Sequence, residues 1–224
     1  MDTSLVSLAA ASIAFVGTHF ALSHPLRAPL VKALGPNGFM GLYSLVAFAT
    51  LGWMALAFRS APSFDFPGSG EIGWIIVSLL MIPATVLLLG SFVRNPALPA
   101  PGAEKLALQE PHGVFRVTRH PMMWSFALWA IAHLILFWSM RTTIVALAIL
   151  VLALVGAHMQ DRKKERLMGS AWAEWEAKTS YWPKWTALFS AGPVLWLAGI
   201  VAWLLLTWLH MPAAGIPAGA WRWL

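Results

Sequence analysis

Cysteine is absent from the 224-residue sequence. Without it the chain can form no disulfide bond, no thiolate–metal bond and no zinc site of the cysteine-containing kind. Any metal bound by this chain must therefore be held by histidine or carboxylate side chains.

Charged residues are also few in this sequence. They make up 11% of the chain, whereas hydrophobic residues make up 59%, and the mean hydropathy is +0.70. An average soluble domain has about 25% charged residues, so most of this chain must be surrounded by lipid. The first hydrophobic stretch is preceded by Asp2 and not by the positive start of a signal peptide. We therefore expect it to be retained as a helix.

Six uncharged stretches lie between the charged residues. Each is long enough to cross the roughly 30 Å hydrocarbon core as a helix of about 20 residues. The sequence therefore predicts the all-α class, an integral membrane bundle of six transmembrane helices that forms a single domain over residues 1–224. The predicted spans are 5–26, 37–58, 72–93, 121–140, 142–160 and 187–210.

The basic residues are unevenly distributed over the connecting segments. The chain has 15 Lys and Arg against 9 Asp and Glu. With the amino terminus outside the cytoplasm, only Arg59, Arg141 and Arg222 lie on the outer side, and the other twelve basic residues lie inside. Both termini are thus predicted outside. The positive charge is explained by topology and by contact with anionic membrane lipid, not by nucleic-acid binding.

Two predicted cytoplasmic segments are longer than the other connections. Residues 94–119 begin with several prolines, which preclude a helix there. Residues 161–184 combine a basic start with the apolar side chains of Leu167, Trp172 and Trp175. This pattern predicts an interfacial amphipathic helix after the fifth span.

His19 and His133 lie well inside predicted spans that contain no Asp or Glu. Ionisable side chains at membrane depth are costly unless they have partners, and they point to function. Each histidine alone is equally well explained as a neutral imidazole bonded to a carbonyl or a serine. Together, on different helices, they favour a metal bound between them, namely haem iron with one imidazole on each face. A difference in depth of about 8 Å would have to be absorbed by helix tilt.

Further basic side chains are predicted at the cytoplasmic ends of the spans. The group consists of His24, His120, His158, Arg27, Arg116 and Arg119. His158 precedes Asp161 by three residues, a helical spacing at which a hydrogen bond would fix its tautomer. Two interpretations stay open: a collar for lipid headgroups, or a cofactor-binding site whose guanidinium groups hold propionates or a phosphorylated cofactor. His112 and His210 are interpreted as ordinary interfacial histidines.

Four segments resemble a known family. They are THFALSHPLRAPL (18–30), LGPNGFMGLYSLVA (34–47), HGVFRVTRHPMMWSFALWAIAHL (112–134) and ERLMGSAWAEWEAKTSYWP (165–183). They resemble the NnrU family of bacterial membrane proteins, which is similar to plant 15-cis-zeta-carotene isomerase. The resemblance implies a location in the bacterial inner membrane and haem b as cofactor. It also implies His19 and His133 as the iron ligands, with His24 competing with His19 for the first-span position.

The resemblance implies several functions. In the isomerase, ferrous haem loses an axial histidine and the open iron acts on a cis double bond of a polyene, so His19 and His133 would be the catalytic residues. The bacterial branch is associated with nitrogen-oxide respiration, and a ferrous haem with a labile ligand also binds nitric oxide. A non-enzymatic haem sensor or an assembly factor for a respiratory complex is a further alternative. Whether the protein is an enzyme stays open at this point.

A second resemblance implies a different cofactor. The RHP sequence at a span start (119–121), followed by ERLMGSAWAEWE (165–176) and an aromatic–proline ending, is similar to membrane methyltransferases that modify isoprenylcysteine or phospholipid amines. In that case Arg119, His120 and Glu165 would contact S-adenosylmethionine, and the span histidines would have no catalytic role. The first-span match favours the haem interpretation.

Overall fold

The fold is built from helices. A computed structural model describes residues 2–63, 66, 68–99 and 101–224. The α-helices within these residues are α1 (Thr3–Ser23), α2 (Arg27–Ser60), α3 (Gly70–Gly90), α4 (Ala103–Ala107), α5 (Pro121–Leu136), α6 (Met140–Met168), α7 (Ser170–Lys178) and α8 (Pro193–Ala214). Short 3₁₀ segments occupy Gly113–Arg116, Trp185–Ala191 and Gly219–Arg222.

Five helices are long and apolar enough to cross a membrane, namely α1, α2, α3, α6 and α8. The predicted fourth span corresponds to α5, which is apolar but has only 16 residues. Its length is about 24 Å at 1.5 Å per residue, less than the roughly 30 Å hydrocarbon core. The all-helical, multi-pass membrane class is therefore confirmed. In the described part of the chain, helix length supports five of the six predicted spans.

Helix α2 begins ten residues before the predicted span 37–58. It is interrupted at Gly35, whose φ of 71° is left-handed, and Pro36 follows. Glycine tolerates this φ because it has no Cβ. Proline suits the first turn after a break, where its missing N–H removes no helical bond. The span predicted from the sequence therefore starts directly after the kink, and Arg27 begins a separate helical stretch before it.

The chain divides into two compact units, and the first comprises Met1–Gly68 and Phe137–Leu152. Its core forms where α1 packs against α2. The buried core residues are Leu8, Ala11, Phe15, Met54, Ala57 and Ala61. Alanine at three of these positions lets the helices approach closely, as is common between helices in lipid. Partly buried side chains from the first part of α6, Ile144 to Leu152, pack against the same core.

The second unit comprises Ser69–Leu136 and Ala153–Leu224, and in it α3 packs against both α5 and α8. Gly199 of α8 lies directly on α3, because a Cβ added there would be 2.5 Å from Cγ2 and 3.2 Å from Cα of Val86. The Thr85 hydroxyl donates a 2.9 Å hydrogen bond to the Gly199 carbonyl oxygen. A small residue and a polar bond between helices are the usual means of joining helices in lipid. The single domain over 1–224 stays a prediction.

The region predicted to form an interfacial helix is divided between two helices. Residues 161–168 continue α6, and α7 follows after Gly169. Trp172 and Trp175 of α7 are 0% and 1% exposed. The Trp175 ring meets the Phe115 ring edge-on, with centroids 5.7 Å apart. Both indoles are thus core residues of the second unit, whereas the amphipathic pattern predicted that they face lipid.

Candidate functional site

His19 lies on α1, in the first unit. Its Nδ1 atom is 2.7 Å from the carbonyl oxygen of Phe15, four residues earlier. The imidazole ring also contacts the Phe15 ring, at 4.3 Å between centroids, and the edge of the Tyr43 ring from α2, at 5.5 Å. The side chain is half-buried, and three contacts therefore hold its ring in place.

His133 lies on α5, in the second unit, and repeats the same local arrangement. Its Nδ1 atom is 2.8 Å from the carbonyl oxygen of Trp129, again four residues earlier. The Trp129 ring lies 4.0 Å away between centroids. A second imidazole, that of His210 on α8, lies 6.5 Å away with its plane inclined by 29°. From the sequence, His210 is expected to be an ordinary interfacial residue.

These hydrogen bonds determine the tautomer of both span histidines. A carbonyl oxygen can only accept a hydrogen bond, so Nδ1 must carry the proton. In a neutral imidazole the lone pair is then on Nε2, the nitrogen that can bind a metal. A bond from the other ring nitrogen to a backbone carbonyl is characteristic of metal-binding histidines. His19 and His133 therefore have the donor chemistry that haem iron requires.

A buried ion pair joins the start of α5 to α6 in the second unit. The Arg119 guanidinium donates to both carboxylate oxygens of Asp161, through Nε at 3.1 Å to each oxygen and through Nη2 at 2.8 Å to Oδ2. The two side chains are 12% and 2% exposed. Arg119 Nη2 also lies 3.3 Å from Glu176 on α7. The planar fork of the guanidinium is thus already occupied by carboxylates.

His120 is the most deeply buried member of this cluster. Its Nε2 atom lies 2.9 Å from Oδ1 of Asp161, and its side chain is 0% exposed. Its Nδ1 atom is 3.3 Å from the Gln160 side-chain oxygen, and the Tyr181 ring packs edge-on against the imidazole at 5.4 Å. His120 therefore faces an anionic group, but that group is a protein carboxylate.

Four hydrogen bonds to backbone carbonyls join the segment before α5 to the segment after α7. The Arg119 N–H donates to Ser180 at 2.9 Å, and the Lys184 N–H donates to Val117 at 2.8 Å. The Tyr181 carbonyl accepts from the Thr118 hydroxyl at 2.8 Å and from the Trp124 indole at 2.9 Å. We call these four bonds the backbone pairing. It fixes the segment before α5 against the segment after α7.

An open pocket of about 550 Å³ adjoins the ion pair. Its lining residues are Arg119, Leu154, Val155, His158, Asp161, Arg162, Tyr181 and Trp182. His158 is exposed in this pocket. The predicted bond from His158 to Asp161 is wrong: among the described residues, the side-chain contacts of the Asp161 carboxylate are with Arg119 and His120.

The other members of the predicted basic group are separated from this cluster. Arg116 is exposed and donates through Nε to the Pro111 carbonyl at 3.1 Å. Arg27 lies in the first unit, where its guanidinium is over the Phe39 ring at 5.8 Å, and His24 belongs to the same unit. Within the second unit, the structure thus brings Arg119, His120 and His158 around Asp161.

Two groups that border the cluster, Glu176 and Tyr181, have a raised pKa. Burial raises the pKa of the Glu176 carboxyl, and the neighbouring Glu165 and Asp161 carboxyls raise it further. Burial also raises the pKa of Tyr181, and the charge of Asp161 adds to this effect. Tyr181 therefore remains a donor at neutral pH, and its hydroxyl bonds to the Leu154 carbonyl at 2.7 Å. No motif or spacing in the sequence pointed to Tyr181 or Glu176 as members of this cluster.

Metal-binding clusters of three or more His, Asp or Glu side chains are not found among the described residues. An axially ligated haem iron requires only two imidazoles, because the porphyrin supplies the other four nitrogens. The donor chemistry of His19 and His133 fits that requirement, and each is described here in its own unit.

The helices and their apolar length define a multi-pass helical membrane protein. The family model described as NnrU protein matches residues 7–218. The chain therefore belongs to the NnrU family, as its motifs predicted. No curated protein and no solved structure matches it.

Proposed function

We propose that this membrane protein binds haem b, with His133 and His19 as the imidazole ligands of the iron. The observation that carries the proposal is the hydrogen bond from Nδ1 to the carbonyl four residues earlier, which both histidines make. This bond puts the proton on Nδ1 and the lone pair on Nε2, the nitrogen that can bind a metal. The resemblance to the carotene isomerase supports the same two residues.

Haem would supply redox chemistry and an iron that can take up an external ligand. The part of the chain is to orient the two imidazoles. The Trp129 ring contacts His133, and the Phe15 and Tyr43 rings contact His19. Because aromatic contacts and the carbonyl bonds restrict the rings, each Nε2 is held in one direction before any ligand arrives.

Binding of the propionates is better assigned to Arg27 and Arg116 than to Arg119. Arg119 already bonds to Asp161 and lies close to Glu176. Within the described residues, no carboxylate lies at ion-pair distance from Arg27 or Arg116. A guanidinium without a carboxylate partner can bind a propionate without breaking an existing pair.

The proposed activity is redox-gated ligand chemistry at the haem. Its two candidate forms are isomerisation of a cis double bond in a polyene and binding of nitric oxide, the second of which also suits a non-enzymatic sensor or assembly factor. A carotenoid assay under reducing conditions separates them, since only an isomerase changes the polyene.

S-adenosylmethionine, the alternative cofactor, would require His120, Arg119 and Glu165 to face it. The His120 side chain is 0% exposed beside Asp161, and Glu165 pairs with Arg162 at 2.7 Å. The geometry therefore favours haem. A clear rise in melting temperature on adding S-adenosylmethionine, expected by linkage for any ligand of the folded state, would reverse this preference.

An absorption spectrum of the purified protein tests the haem proposal. We expect a Soret band that shifts on dithionite reduction, and we expect His133→Ala and His19→Ala to lose haem or change its spectrum. His24→Ala should keep the wild-type spectrum if His19 is the first-span ligand. His158→Ala is the matched control, because this imidazole is exposed in the open pocket. A colourless but folded wild type, or unchanged haem content in His133→Ala, would contradict the proposal.

A further inference from the structure

A second pocket lies within the second unit, between the end of α3 and the start of α8. Its volume is about 300 Å³, and His112 is the only polar side chain among the described residues that line it. The apolar lining includes Val93, Phe115, Val194, Leu195 and Ala198. Because Val93, Val194 and Ala198 are exposed, the pocket opens to the side of two helices that are apolar enough to face lipid.

This second pocket lies at the level of lipid headgroups. Gly90, the last residue of α3, belongs to its lining, and α8 begins at Pro193, one residue before the lining residue Val194. Both helices are long enough to cross a membrane, so the ends that meet here mark one membrane surface. The excess of basic residues predicts that this surface is cytoplasmic, where anionic lipids contribute a negative surface potential.

Two basic side chains lie close to the pocket. Arg94 directly follows the lining residue Val93, and the His112 ring contacts the Phe115 ring with centroids 5.8 Å apart. Burial lowers the pKa of His112, and the positive charges of Arg94 and Arg116 lower it further, which places both charges near the imidazole. The pocket is therefore apolar inside and positively charged at one edge.

The charge of Arg94 is available to an anion. Its guanidinium donates a hydrogen bond to the side-chain oxygen of Gln109, which is neutral. Among the described residues, no carboxylate lies at ion-pair distance from Arg94, and the exposed carboxylate of Glu110 pairs with Lys178 instead. A guanidinium in this state can bind a phosphate by charge-assisted hydrogen bonds without first breaking an ion pair.

The backbone at this edge also favours an anion. Arg94 has a φ of 53° and is the only residue other than glycine with a positive φ in the described part of the chain. A side chain rarely adopts this conformation because it costs free energy, and such strain is concentrated at ligand sites. No side chain caps the start of α8, whose first turn lines the pocket. The N–H groups of a first turn carry partial positive charge.

We propose that this second pocket binds one anionic phospholipid, with Arg94 and His112 at the phosphate and one acyl chain against the apolar lining. Basic pockets between membrane helices are known to hold anionic headgroups. The apolar lining excludes a fully polar ligand such as a free nucleotide, whereas a lipid satisfies both parts of the pocket. Neither Arg94 nor His112 is assigned to the haem, so this site does not rest on the haem proposal.

Native mass spectrometry of the full chain in an uncharged detergent tests the site, with dioleoylphosphatidylglycerol and dioleoylphosphatidylcholine as probes. The wild type should retain one phosphatidylglycerol and bind it at least about tenfold more tightly than phosphatidylcholine, as expected for charge-assisted hydrogen bonds. Arg94→Gln and His112→Ala should each remove most of this preference. Arg166→Gln is the matched control, because Arg166 is exposed on α6 and does not line the pocket.

A further variant tests the acyl chain separately from the charge. Ala198→Phe keeps both basic groups and fills the pocket, so it should weaken the binding of both lipids. His112→Gln replaces His112→Ala if the latter does not fold. Equal binding of the two lipids by the wild type would overturn the proposal, and so would an equal loss in Arg166→Gln and Arg94→Gln, since either result means diffuse attraction. Unchanged binding in Ala198→Phe would likewise overturn it. The haem spectrum of Arg94→Gln should match the wild type, so loss of the lipid and loss of haem are separate results.

Discussion

At the scale of single residues, Asp161 holds the charged cluster together. Its carboxylate is 2% exposed and has Arg119 on both oxygens, with His120 Nε2 at 2.9 Å. When one partner of a buried ion pair is removed, the other charge is left without a counter-ion and without water to solvate it. The main role of the cluster is therefore structural, because it connects the start of α5 to α6.

Asp161→Asn keeps the shape of the side chain and removes its charge. We expect the free energy of unfolding to fall by about 3–5 kcal/mol, because the buried Arg119 loses its closer, two-point counter-ion and keeps only Glu176 at 3.3 Å. Unfolding followed by circular dichroism in detergent micelles measures the loss.

Glu165→Gln is the matched control for that change. The partner of Glu165 is Arg162, whose side chain is 53% exposed, and an exposed pair contributes about 0–1 kcal/mol. Equal losses in the two variants would show that Asp161 has no special role.

The sequence identified some of this cluster but not its partners. Arg119, His120 and His158 were predicted to lie near one another because all three flank span ends. Asp161 was assigned to His158 by its three-residue spacing, yet Arg119, 42 residues away, takes it. Helical spacing gives only local neighbours, whereas the Arg119 guanidinium reaches Asp161 from another part of the chain and binds it through two nitrogen atoms. Which side chain binds Asp161 therefore depends on the folded structure and could not be predicted from the sequence.

At the scale of helices, the contact between α3 and α8 depends on Gly199. Replacing it with Ala would place a methyl group 3.2 Å from the Val86 backbone nitrogen and Cα. We expect the helices to separate slightly and the free energy of unfolding to fall by about 1–3 kcal/mol, as for an overpacked core. Thermal unfolding in detergent measures this change.

Gly52→Ala is the control, since a Cβ at Gly52 of α2 would have nothing within 4 Å. Because Ala favours a helix over Gly by about 0.8–1.0 kcal/mol, this variant should be neutral or more stable. A loss at Gly52 as large as at Gly199 would mean that the packing argument is wrong.

The sequence predicted the membrane-spanning helices well, because hydropathy determines where they lie. It failed for side chains whose burial is determined by packing between helices. Uncharged length located α1 and α3 within three residues at each end, whereas α6 continues eight residues past its predicted span and α8 begins six residues after its predicted start. The amphipathic pattern of residues 161–184 placed Trp172 and Trp175 at the lipid surface, whereas both are buried among protein side chains. An amphipathic helix has the same composition whether its apolar face meets lipid or protein. Only the tertiary contact distinguishes the two.

At the scale of the whole molecule, membrane topology can be tested with introduced cysteines, because the natural chain has none. With the amino terminus outside, we expect Arg59→Cys to react with an impermeant maleimide in intact cells. Glu110→Cys and Glu174→Cys should react only after lysis, since the excess of basic residues places their segments inside. All three positions are exposed, so lack of reaction reports sidedness.

Met140→Cys extends the test to α5. If this 16-residue helix crosses the membrane, Met140→Cys, just after it, reacts like Arg59→Cys. Its length of about 24 Å then requires local thinning of the bilayer. Reaction of Met140→Cys only after lysis would show that α5 does not cross.

The backbone pairing has an evolutionary consequence. Its acceptors are main-chain carbonyls of Val117, Ser180 and Tyr181, and every amino acid provides such a carbonyl. Substitution at Ser180 would leave these bonds in place, whereas one residue inserted or deleted between Thr179 and Lys184 would put them out of register. Relatives of this protein should therefore keep the number of residues in this stretch even where the side chain at Ser180 differs.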